Sequence, residues 1–506
     1  MPEIELRPAD PHNRRLLANV HPADWVNPEP RGRYNLVVLG AGTAGLITAA
    51  VAAGLGARVA LVERHLMGGD CLNVGCVPSK ALIRASRAAA EVRRAREFGI
   101  RVDGKIEVDF AAVMERLRRA RAEISRDDSA ERYRDELGVD VFLGEGRFAG
   151  RDRLQVGEAQ LRFARAVIAT GARATAPPIP GLDEAGFLTN ESVFSLTTCP
   201  PRLAVIGAGP IGCELAQAFQ RLGAQVQLLE MAPQVLIRED PDAAALVQAA
   251  LVRDGVELVL DARLERVRKT PGGKTIEYTR GGSRQSVEVD EILVGAGRAP
   301  NVEGLGLEQA GVAFDPRLGV RVSETLRTRN PRIWAAGDVC MAWKFTHAAE
   351  AAAKIVVQNA LFHRRLKLSQ LVMPWCTYTD PEIAHVGLYE AEARERGIEV
   401  ETYQVPLERV NRALLDGETE GFVKLHVRKG GGRLIGGTIV ASHAGELISE
   451  LTLAMVGKLG LGTVANTVHP YPTQAEGLRA AANGYLRSRL TPHVARLFRS
   501  WLSLTR

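Results

Sequence analysis

A short pattern of apolar run, glycine-rich turn and alanine-rich segment occurs twice in the chain, and this repeat constrains the fold more than any other feature. The first copy covers residues 34–63 and the second covers residues 202–230. Each copy ends in a second apolar run that closes with glutamate, so each predicts strand, turn, helix and strand in that order. The equivalent positions, all 167 residues apart, are Gly40 and Gly207, Gly42 and Gly209, Gly45 and Gly212, and Glu63 and Glu230.

The glycine spacing of each copy is typical of a turn that binds a dinucleotide. The first glycine permits a tight turn, the second lets the backbone approach a pyrophosphate, and the third lets the helix pack closely on the strand. The N–H groups at the start of the helix can bind the anion, and the closing glutamate can accept hydrogen bonds from a ribose. We therefore predict two Rossmann-like domains that each bind an adenine dinucleotide. At the second site Glu230 would repel a 2′-phosphate, which favours NADH over NADPH.

The composition is that of an ordinary globular protein. Of the 506 residues, 46% are hydrophobic and 25% are charged, and the formal net charge of +6 is too small and too dispersed to indicate nucleic-acid binding. Six cysteines are too few for a secreted scaffold held by disulfides. The sequence shows neither an apolar run long enough to span a membrane nor a secretory signal. We expect a cytoplasmic protein, and we predict no metal site because the histidines have no ligand spacing with cysteines.

Two cysteines follow the first repeat directly, in the segment GGDCLNVGCVPSK at residues 68–80. Cys71 and Cys76 lie five residues apart, and residues 81–86 have helical character. Cysteines near a helix N-terminus and a lysine have lowered thiol pKa values and exchange readily. The spacing alone also permits two buried structural cysteines. The position directly after a dinucleotide fold favours a redox-active disulfide.

Residues 68–80 resemble the active-site segment of the class I flavin-dependent pyridine nucleotide–disulfide oxidoreductases, which include mercuric reductase and dihydrolipoamide dehydrogenase. The resemblance extends from about Tyr34 to Tyr485, and further segments follow in the family's order. Residues 169–171 resemble the turn that closes on FAD, and residues 295–301 resemble the segment that returns from the NAD domain. Residues 336–338 resemble the motif whose aspartate binds the ribityl chain of FAD. Residues 378–382 and 472–476 resemble signatures of the interface domain.

The resemblance implies FAD at the first repeat and NADH, or NADPH, at the second. Electrons would pass from the nicotinamide through the flavin to the disulfide, with Cys76 beside the flavin ring and Cys71 as the interchange thiol that attacks the acceptor. Lys80 would lie near the flavin and pair with Glu214, although both residues also fit solvated helix charges. The other cofactor positions implied are Gly146, Thr170, Gly171, Gly297, Asp338 and Thr346.

The segment VHPYPTQAE at residues 468–476 departs from part of the family. In lipoamide and glutathione reductases, a His-Pro-Thr-x-x-Glu segment from the partner subunit supplies a histidine base that its glutamate orients. The residue five before Glu476 is Tyr471, and His469 lies two residues earlier. A phenol with a pKa near about 10 is a poor base compared with imidazole at about 6.5. Tyrosine at this position is similar to mercuric reductase, whose metal acceptor does not need this proton transfer.

Several features keep alternatives open. The sequence has neither the C-terminal cysteine pair nor the N-terminal CxxC domain of mercuric reductases, and Asp70 stands where threonine is usual. If His469 acts as the base through a shifted loop, the chain would be a dihydrolipoyl dehydrogenase acting on lipoyl-protein. Cys340 and Cys376 could form an alternative relay for a metal ion, although single cysteines are more often small buried hydrophobic residues.

The last residues have their own pattern. Residues 485–506 contain five arginines and no acidic residue. One helical stripe, with arginines opposite, contains Val494, Leu497, Phe498, Trp501 and Leu504. This pattern is typical of a helix that lies on a membrane or docks on a partner, and it also fits a helix packed on its own dimer. A membrane-docked redox sensor with low turnover is therefore a further alternative. Residues 109–137, dense in Arg and Glu, predict a solvated helical face.

The predicted fold is α/β, with two Rossmann-like FAD- and NAD-binding domains and an α+β dimerisation domain whose residues 471–476 would complete the partner's site in a homodimer. In the dimerisation domain, the segments GFVKLHV and LIGGTIVA predict antiparallel strands. The predicted activity is that of an FAD-dependent NAD(P)H oxidoreductase that passes electrons through Cys71 and Cys76 to a small disulfide, a lipoyl-protein or a thiol-bound metal ion. The predicted boundaries are an N-terminal extension at 1–33, an FAD-binding domain at 34–188 and 296–369, an NAD(P)-binding domain at 189–295, the dimerisation domain at 370–485 and a basic amphipathic tail at 486–506.

Overall fold

The computed structural model describes residues 4–506. The chain forms two compact units, each built from several segments. The first unit comprises the chain up to Gly207, Ala218–Leu229 and Ala262–Leu371, and the second comprises Ala208–Gln217, Glu230–Asp261 and Val372–Arg506.

The first part of the chain alternates helices with the strands of a large sheet. Its helices are α1 (Pro11–Val20), α2 (Thr43–Gly54), α3 (Gly69–Val74), α4 (Cys76–Arg94), α5 (Phe110–Ile124), α6 (Ala130–Asp135) and α7 (Leu182–Ala185). Its strands are β1 (Arg33–Leu39), β2 (Val59–Glu63), β3 (Asp140–Leu143), β4 (Gly146–Gly150), β5 (Arg153–Val156), β6 (Ala159–Ile168) and β7 (Ala172–Ala174).

The middle of the chain contains the second repeat and the return to the large sheet. Its strands are β8 (Arg202–Ile206), β9 (Gln225–Leu229), β10 (Glu257–Val259), β11 (Arg263–Thr270), β12 (Gly273–Arg280), β13 (Ser283–Val289), β14 (Glu291–Val294), β15 (Arg298–Pro300), β16 (Phe314–Asp315), β17 (Gly319–Val320) and β18 (Ile333–Ala335). Its helices are α8 (Pro210–Arg221), α9 (Pro241–Arg253), α10 (Leu307–Ala310) and α11 (Thr346–Phe362).

The last part contains a further sheet and the terminal helices. Its strands are β19 (Pro374–Thr377), β20 (Glu382–Gly387), β21 (Val400–Pro406), β22 (Phe422–Arg428) and β23 (Leu434–Ala441). Its helices are α12 (Glu390–Glu395), α13 (Asn411–Asp416), α14 (Ala444–Val456), α15 (Leu461–Asn466), α16 (Glu476–Arg489) and α17 (Pro492–Ser503).

The large sheet of the first unit has the strand order β3-β2-β1-β6-β5-β4, and β18 also pairs with β6. Strands β1, β2, β3, β6 and β18 pair in parallel, whereas β4, β5 and β6 form an antiparallel meander. Strand β2 is apolar and buried on both faces, as expected for an inner parallel strand. Parallel strands end at one edge, so the turn after β1 and the glutamate that closes β2 lie there together.

The second repeat forms the strand, helix and strand that its sequence predicts, as β8, α8 and β9. Strand β8 pairs in parallel with both β9 and β14, while β11, β12 and β13 form a separate antiparallel sheet. In the second unit, the five-stranded sheet has the order β19-β20-β23-β22-β21 and is antiparallel throughout. The antiparallel strands predicted at GFVKLHV and LIGGTIVA are confirmed as β22 and β23.

The prediction of a solvated helical face over residues 109–137 is correct for only part of its charged residues, since Glu115, Arg116, Arg119 and Glu123 are exposed but two arginines are not. The segment forms α5 and α6, and the side chains of Arg118 and Arg121 on α5 are buried. Their partners come from the N-terminal extension, where α1 supplies Asn13 and its capping residue Asp10. These polar partners make burial of the two guanidinium groups possible.

The terminal segment is helical, as its apolar stripe predicts. Thr491 caps α17 by accepting a hydrogen bond from the backbone N–H of Val494, and Pro492 occupies its first turn. Across residues 4–506, no helix combines the length and apolar character that crossing a membrane requires.

Candidate active site

The turn after β1 is closed by glycines that leave no space for side chains. Gly40 has φ +101°, and a β-carbon built there would lie 2.4 Å from the carbonyl oxygen of Ala169. A β-carbon on Gly45 would lie 1.8 Å from the carbonyl oxygen of Gly40, so α2 packs directly on the turn. The residue before α2 is Gly42, which makes no side-chain cap. The turn and the start of the helix therefore fit a pyrophosphate group.

The closing glutamates hold the two turns in the same way. The Glu63 carboxylate accepts hydrogen bonds from the backbone N–H groups of Ala41, at 2.7 Å, and His65, at 2.8 Å. Glu230 accepts the equivalent bonds from Ala208, at 2.7 Å, and Ala232, at 2.9 Å. Burial raises the pKa of Glu63. Each carboxylate oxygen has a further lone pair, which leaves it able to accept a hydrogen bond from a ribose hydroxyl.

The glycines of the second repeat resemble those of the first in part. Gly207 has φ +99°, and a β-carbon on it would lie 3.1 Å from the β-carbon of Ala296. A β-carbon on Gly209 would meet no atom within 4 Å, and Gly212 lies in the first turn of α8. The residues present therefore fit a second dinucleotide, as the sequence predicts.

The two cysteines lie on either side of the break between α3 and α4, beside the first turn. Cys71 is in α3, and Cys76 is the first residue of α4, so the predicted helix after the pair is confirmed. The Cys76 sulfur lies 3.3 Å from the Thr346 hydroxyl oxygen. The hydrogen bond with Cys76, together with burial, raises the pKa of Cys71, so the lowered thiol pKa that the sequence predicts is wrong for this residue. Cys71, Cys76 and Thr346 therefore form one cluster.

Helix α3, which carries Cys71 and is called the cysteine helix below, contacts the turn after β1 through Gly69. Gly69, at the start of α3, has φ +56°, and a β-carbon on it would lie 2.6 Å from Cα of Gly42. This close approach places the predicted pyrophosphate turn directly beside the segment that carries Cys71. A side chain on Gly69 would push the two apart, whereas a β-carbon on Gly42 would lie 3.7 Å from Cα of Gly69, an ordinary contact distance.

Three predicted flavin segments meet beside the cysteines. Arg298 forms an ion pair with Asp70, and its Nε lies 3.4 Å from a carboxylate oxygen of Asp338, whose pKa is raised by burial. Thr170 and Asn301 are joined by two hydrogen bonds, of 2.8 and 2.9 Å, between side chains and carbonyl oxygens. The segments at residues 169–171, 295–301 and 336–338 are therefore held together, and they include Gly171 and Gly297, both with positive φ.

The other predicted residues lie as follows. Lys80 is half-buried on α4 of the first unit. Glu214 is buried on α8 of the second unit, where its carboxylate accepts a hydrogen bond of 2.9 Å from the Tyr378 backbone N–H. Their ion pair stays a prediction. Gly146 begins β4, and a β-carbon on it would lie 2.5 Å from the Leu39 side chain, so packing in the sheet already requires glycine there.

The C-terminal segment separates its candidate residues. His469 is buried, with Nδ1 3.0 Å from the Thr467 carbonyl oxygen and Nε2 3.0 Å from both carboxylate oxygens of Glu450. Tyr471 is 70% exposed. Glu476 is the first residue of α16 and pairs with Arg479 at 3.1 Å. The carboxylate that contacts His469 therefore belongs to Glu450, in α14, and not to Glu476.

Comparison with known proteins decides the family. The family model described as pyridine nucleotide-disulphide oxidoreductase matches residues 34–353, more than half of the chain. The chain belongs to this family. The model of the family's dimerisation domain matches residues 373–482, which fits a homodimer. The family uses FAD and a pyridine nucleotide. Within residues 4–506, no group of three or more His, Cys, Asp or Glu side chains could hold a metal ion.

Several members of the family are similar over most of their length. Mercuric reductase of Streptomyces lividans is 37% identical over 472 residues, which cover 92% of this chain and 98% of that protein. Dihydrolipoyl dehydrogenase of Chlamydia muridarum is 32% identical and covers 88% of this chain and 95% of that protein. The structure of the Cu(II) complex of the HOCl-induced flavoprotein disulfide reductase RclA from Escherichia coli is 27% identical, with a TM-score of 0.79, and covers 90% of this chain and 99% of that one.

A brace of polar contacts behind the cysteine helix was not predicted from the sequence. Arg121 donates one hydrogen bond of 2.6 Å to the carbonyl oxygen of Asn73, in α3, and another of 2.5 Å to the side chain of Asn13, in α1. Arg118 forms an ion pair with Asp10 one turn away. The N-terminal extension thus contacts the cysteine segment through α5. The one available signal was the spacing of the two arginines, which places them on one face of a helix.

Proposed function

We propose that this chain is an NADH-dependent flavoprotein reductase that delivers electrons through Cys71 and Cys76 to a thiol-bound metal ion. The observation that carries the proposal is Tyr471, which stands where a histidine base would serve a dithiol acceptor. Its hydroxyl oxygen accepts a hydrogen bond of 3.2 Å from the Asn411 side chain. A phenol transfers protons poorly near neutral pH, because its pKa is about 10. A metal ion needs thiolate ligands and electrons, whereas a dithiol leaving group also needs a proton.

The contacts of His469 support the same acceptor. Both ring nitrogens are engaged, one by Glu450 and one by the Thr467 carbonyl oxygen. An imidazole in this position has no nitrogen left for a thiol unless one of these bonds breaks. In the proposed homodimer, the segment that carries Tyr471 completes the partner's site, and the phenol rather than the imidazole would face the acceptor.

The residues around the cysteines have separable roles. FAD, when bound, would carry electrons from NADH to the disulfide. The Thr346 hydroxyl, 3.3 Å from the Cys76 sulfur, orients that thiol, while Cys71 contacts the acceptor. The raised pKa of Cys71 means that its proton must leave before it binds a metal, because the thiolate is the ligand. The reaction balances because NADH supplies two electrons and releases one proton, while thiol-bound Hg(II) accepts both electrons, becomes Hg(0) and releases its two ligands as thiolates.

The preference for NADH rests on Glu230. Its carboxylate is fixed by the backbone of the second turn and would lie beside the ribose of a bound nucleotide. A 2′-phosphate there would meet a negative charge, whereas a ribose 2′-hydroxyl could donate a hydrogen bond to it.

The similar proteins support a metal ion as the electron acceptor and also favour a second candidate acceptor. Mercuric reductases from several bacteria are 35–37% identical to this chain, and RclA has been solved with Cu(II). The similarity to the Chlamydia dihydrolipoyl dehydrogenase favours lipoyl-protein as the second candidate acceptor.

The test is NADH oxidation by the FAD-loaded dimer, with thiol-complexed Hg(II) and lipoamide in parallel. We expect Hg(II) to be the faster acceptor. Tyr471→His should raise lipoamide turnover by at least about tenfold, since a positioned base contributes roughly that much or more. Tyr403→Phe, which removes a hydroxyl elsewhere in the same unit, should change neither rate. Faster turnover with lipoamide in the unchanged protein would refute the proposal and favour the dihydrolipoyl dehydrogenase alternative.

A further inference from the structure

The last helix of the chain presents an apolar face to solvent. No residue of α17 (Pro492–Ser503) is buried. The exposed fractions of its larger side chains are 63% for Leu497, 54% for Phe498 and 66% for Trp501. Side chains of this size are normally covered when they form a continuous patch, so a patch left open marks a binding surface.

The two faces of α17 differ in chemistry. At 100° per residue, Val494, Leu497, Phe498 and Trp501 fall on one side of the helix. Arg496, Arg499, Ser500 and Ser503 fall on the other side. Tryptophan and phenylalanine on the apolar face, with arginine opposite, are typical of a helix that lies in the plane of a membrane surface.

The charge of residues 485–506 indicates which kind of surface α17 binds. Residues 485–506 contain five arginines, at 487, 489, 496, 499 and 506, and no aspartate or glutamate. We propose that α17 binds the surface of an anionic lipid bilayer, with its apolar face among the headgroups and acyl chains and its arginines beside lipid phosphates. The proposal concerns where the reductase works and is independent of which acceptor it reduces.

Charge also favours a lipid surface over a second copy of the chain. The whole chain carries a formal net charge of +6, so another copy offers this basic segment no overall attraction. An anionic bilayer attracts each arginine near its surface, and this attraction adds to the burial of the apolar face. The helix is also too short and too polar on one side to cross the bilayer, so the proposed contact is peripheral.

The experiment is flotation of the FAD-loaded full chain with vesicles. One set contains phosphatidylcholine alone, and the other contains about one-quarter phosphatidylglycerol, a fraction that gives the surface a negative potential. We expect flotation with the anionic vesicles and much less with the neutral ones. Raising the ionic strength from roughly 0.1 M to 1 M should reduce binding, because the Debye length falls from about 10 Å to 3 Å.

Two paired variants separate the contributions. Phe498→Ala with Trp501→Ala should reduce partitioning at least about tenfold by removing apolar area. Arg496→Gln with Arg499→Gln should remove most of the difference between the two vesicle sets. NADH oxidation should stay unchanged in both variants, since these residues lie outside the proposed active site.

Matched controls and the dimer state make the outcome decisive. Leu318→Ala with Arg317→Ala removes an exposed apolar and a basic side chain from the first unit and should leave flotation unchanged. Equal partitioning of the parent protein and the Phe498/Trp501 variant would overturn the proposal. So would loss of the dimer in that variant, measured by sedimentation, because the apolar face would then be covered by a second copy.

Discussion

The brace behind the cysteine helix gives a prediction whose size follows from its contacts. Asn13→Ala removes the acceptor of the Arg121 hydrogen bond and the donor of a 2.8 Å bond to the Pro8 carbonyl oxygen. The first bond involves a charged donor, and such bonds contribute about 1.5–3 kcal/mol, while a neutral one contributes about 0.5–1.5 kcal/mol. Their sum is roughly 3 kcal/mol, which corresponds to an increase of about 150-fold in local opening of α1.

Native-state hydrogen exchange of the FAD-loaded protein measures this opening. In Asn13→Ala, amides of residues 11–20 should lose protection by about two orders of magnitude, since exchange reports local opening free energy. Amides of residues 69–74 should lose a smaller part, because Arg121 also holds the Asn73 carbonyl oxygen. Arg15→Ala, an exposed position on the same helix, is the matched control.

Two results would refute this reasoning. Protection that changes equally in Asn13→Ala and Arg15→Ala would show that the bonds to Asn13 contribute no net stability. Loss of protection at residues 11–20 with none at residues 69–74 would show that the brace does not reach the cysteine helix. Asn13→Asp keeps an acceptor for Arg121, so it should restore most of the protection at residues 69–74.

Three further predictions concern single side chains. Burial, with the nearby charge of Asp127, raises the pKa of Asp128 to about 6 from 3.8. Ionisation of Asp128 therefore lowers the free energy of unfolding as the pH rises through this window, and Asp128→Asn should stabilise the protein by about 1–3 kcal/mol at pH 8. Thermal unfolding should show that this gain disappears below pH 4. A constant gain at every pH would contradict this origin. Gly69→Ala should lower bound FAD per chain, measured by flavin absorbance after gel filtration, since its β-carbon would meet Gly42 at 2.6 Å; full loading would show that the turn can shift. Glu230→Ala should raise the KM for NADH by about tenfold, the value of one hydrogen bond, and lower the KM for NADPH; an unchanged ratio of the two would show that Glu230 does not set the preference.

The sequence was most informative where function depends on local backbone geometry. Strand, glycine turn, helix and strand can be recognised within 30 residues because the turn demands glycine and the strands demand apolar runs. The structure repeats even the hydrogen bonds of Glu63 at Glu230. The helix after the cysteines and the antiparallel strands near the C-terminus followed from similarly local patterns.

Long-range polar contacts could not be predicted in this way. Arg118 and Arg121 have sequence surroundings typical of a solvated helix, and their burial depends on Asp10 and Asn13, each 108 residues away. The partner of His469 is Glu450, 19 residues earlier, whereas the family pattern pointed to Glu476. A single sequence shows no sign of such pairs, because arginine, glutamate and asparagine are common on any surface.

The close approach of Gly42 and Gly69 has a consequence for how such enzymes change over evolutionary time. A methyl group on Gly69 would push the nucleotide turn and the cysteine helix apart, so the half of the site that we propose supplies electrons tolerates almost no change at this position. Tyr471 lies in the other unit and is largely exposed, so its replacement carries little cost to folding. We therefore expect acceptor preference to diverge among descendants of one ancestor through changes near residues 469–471, while the proposed route of electrons to Cys71 stays the same.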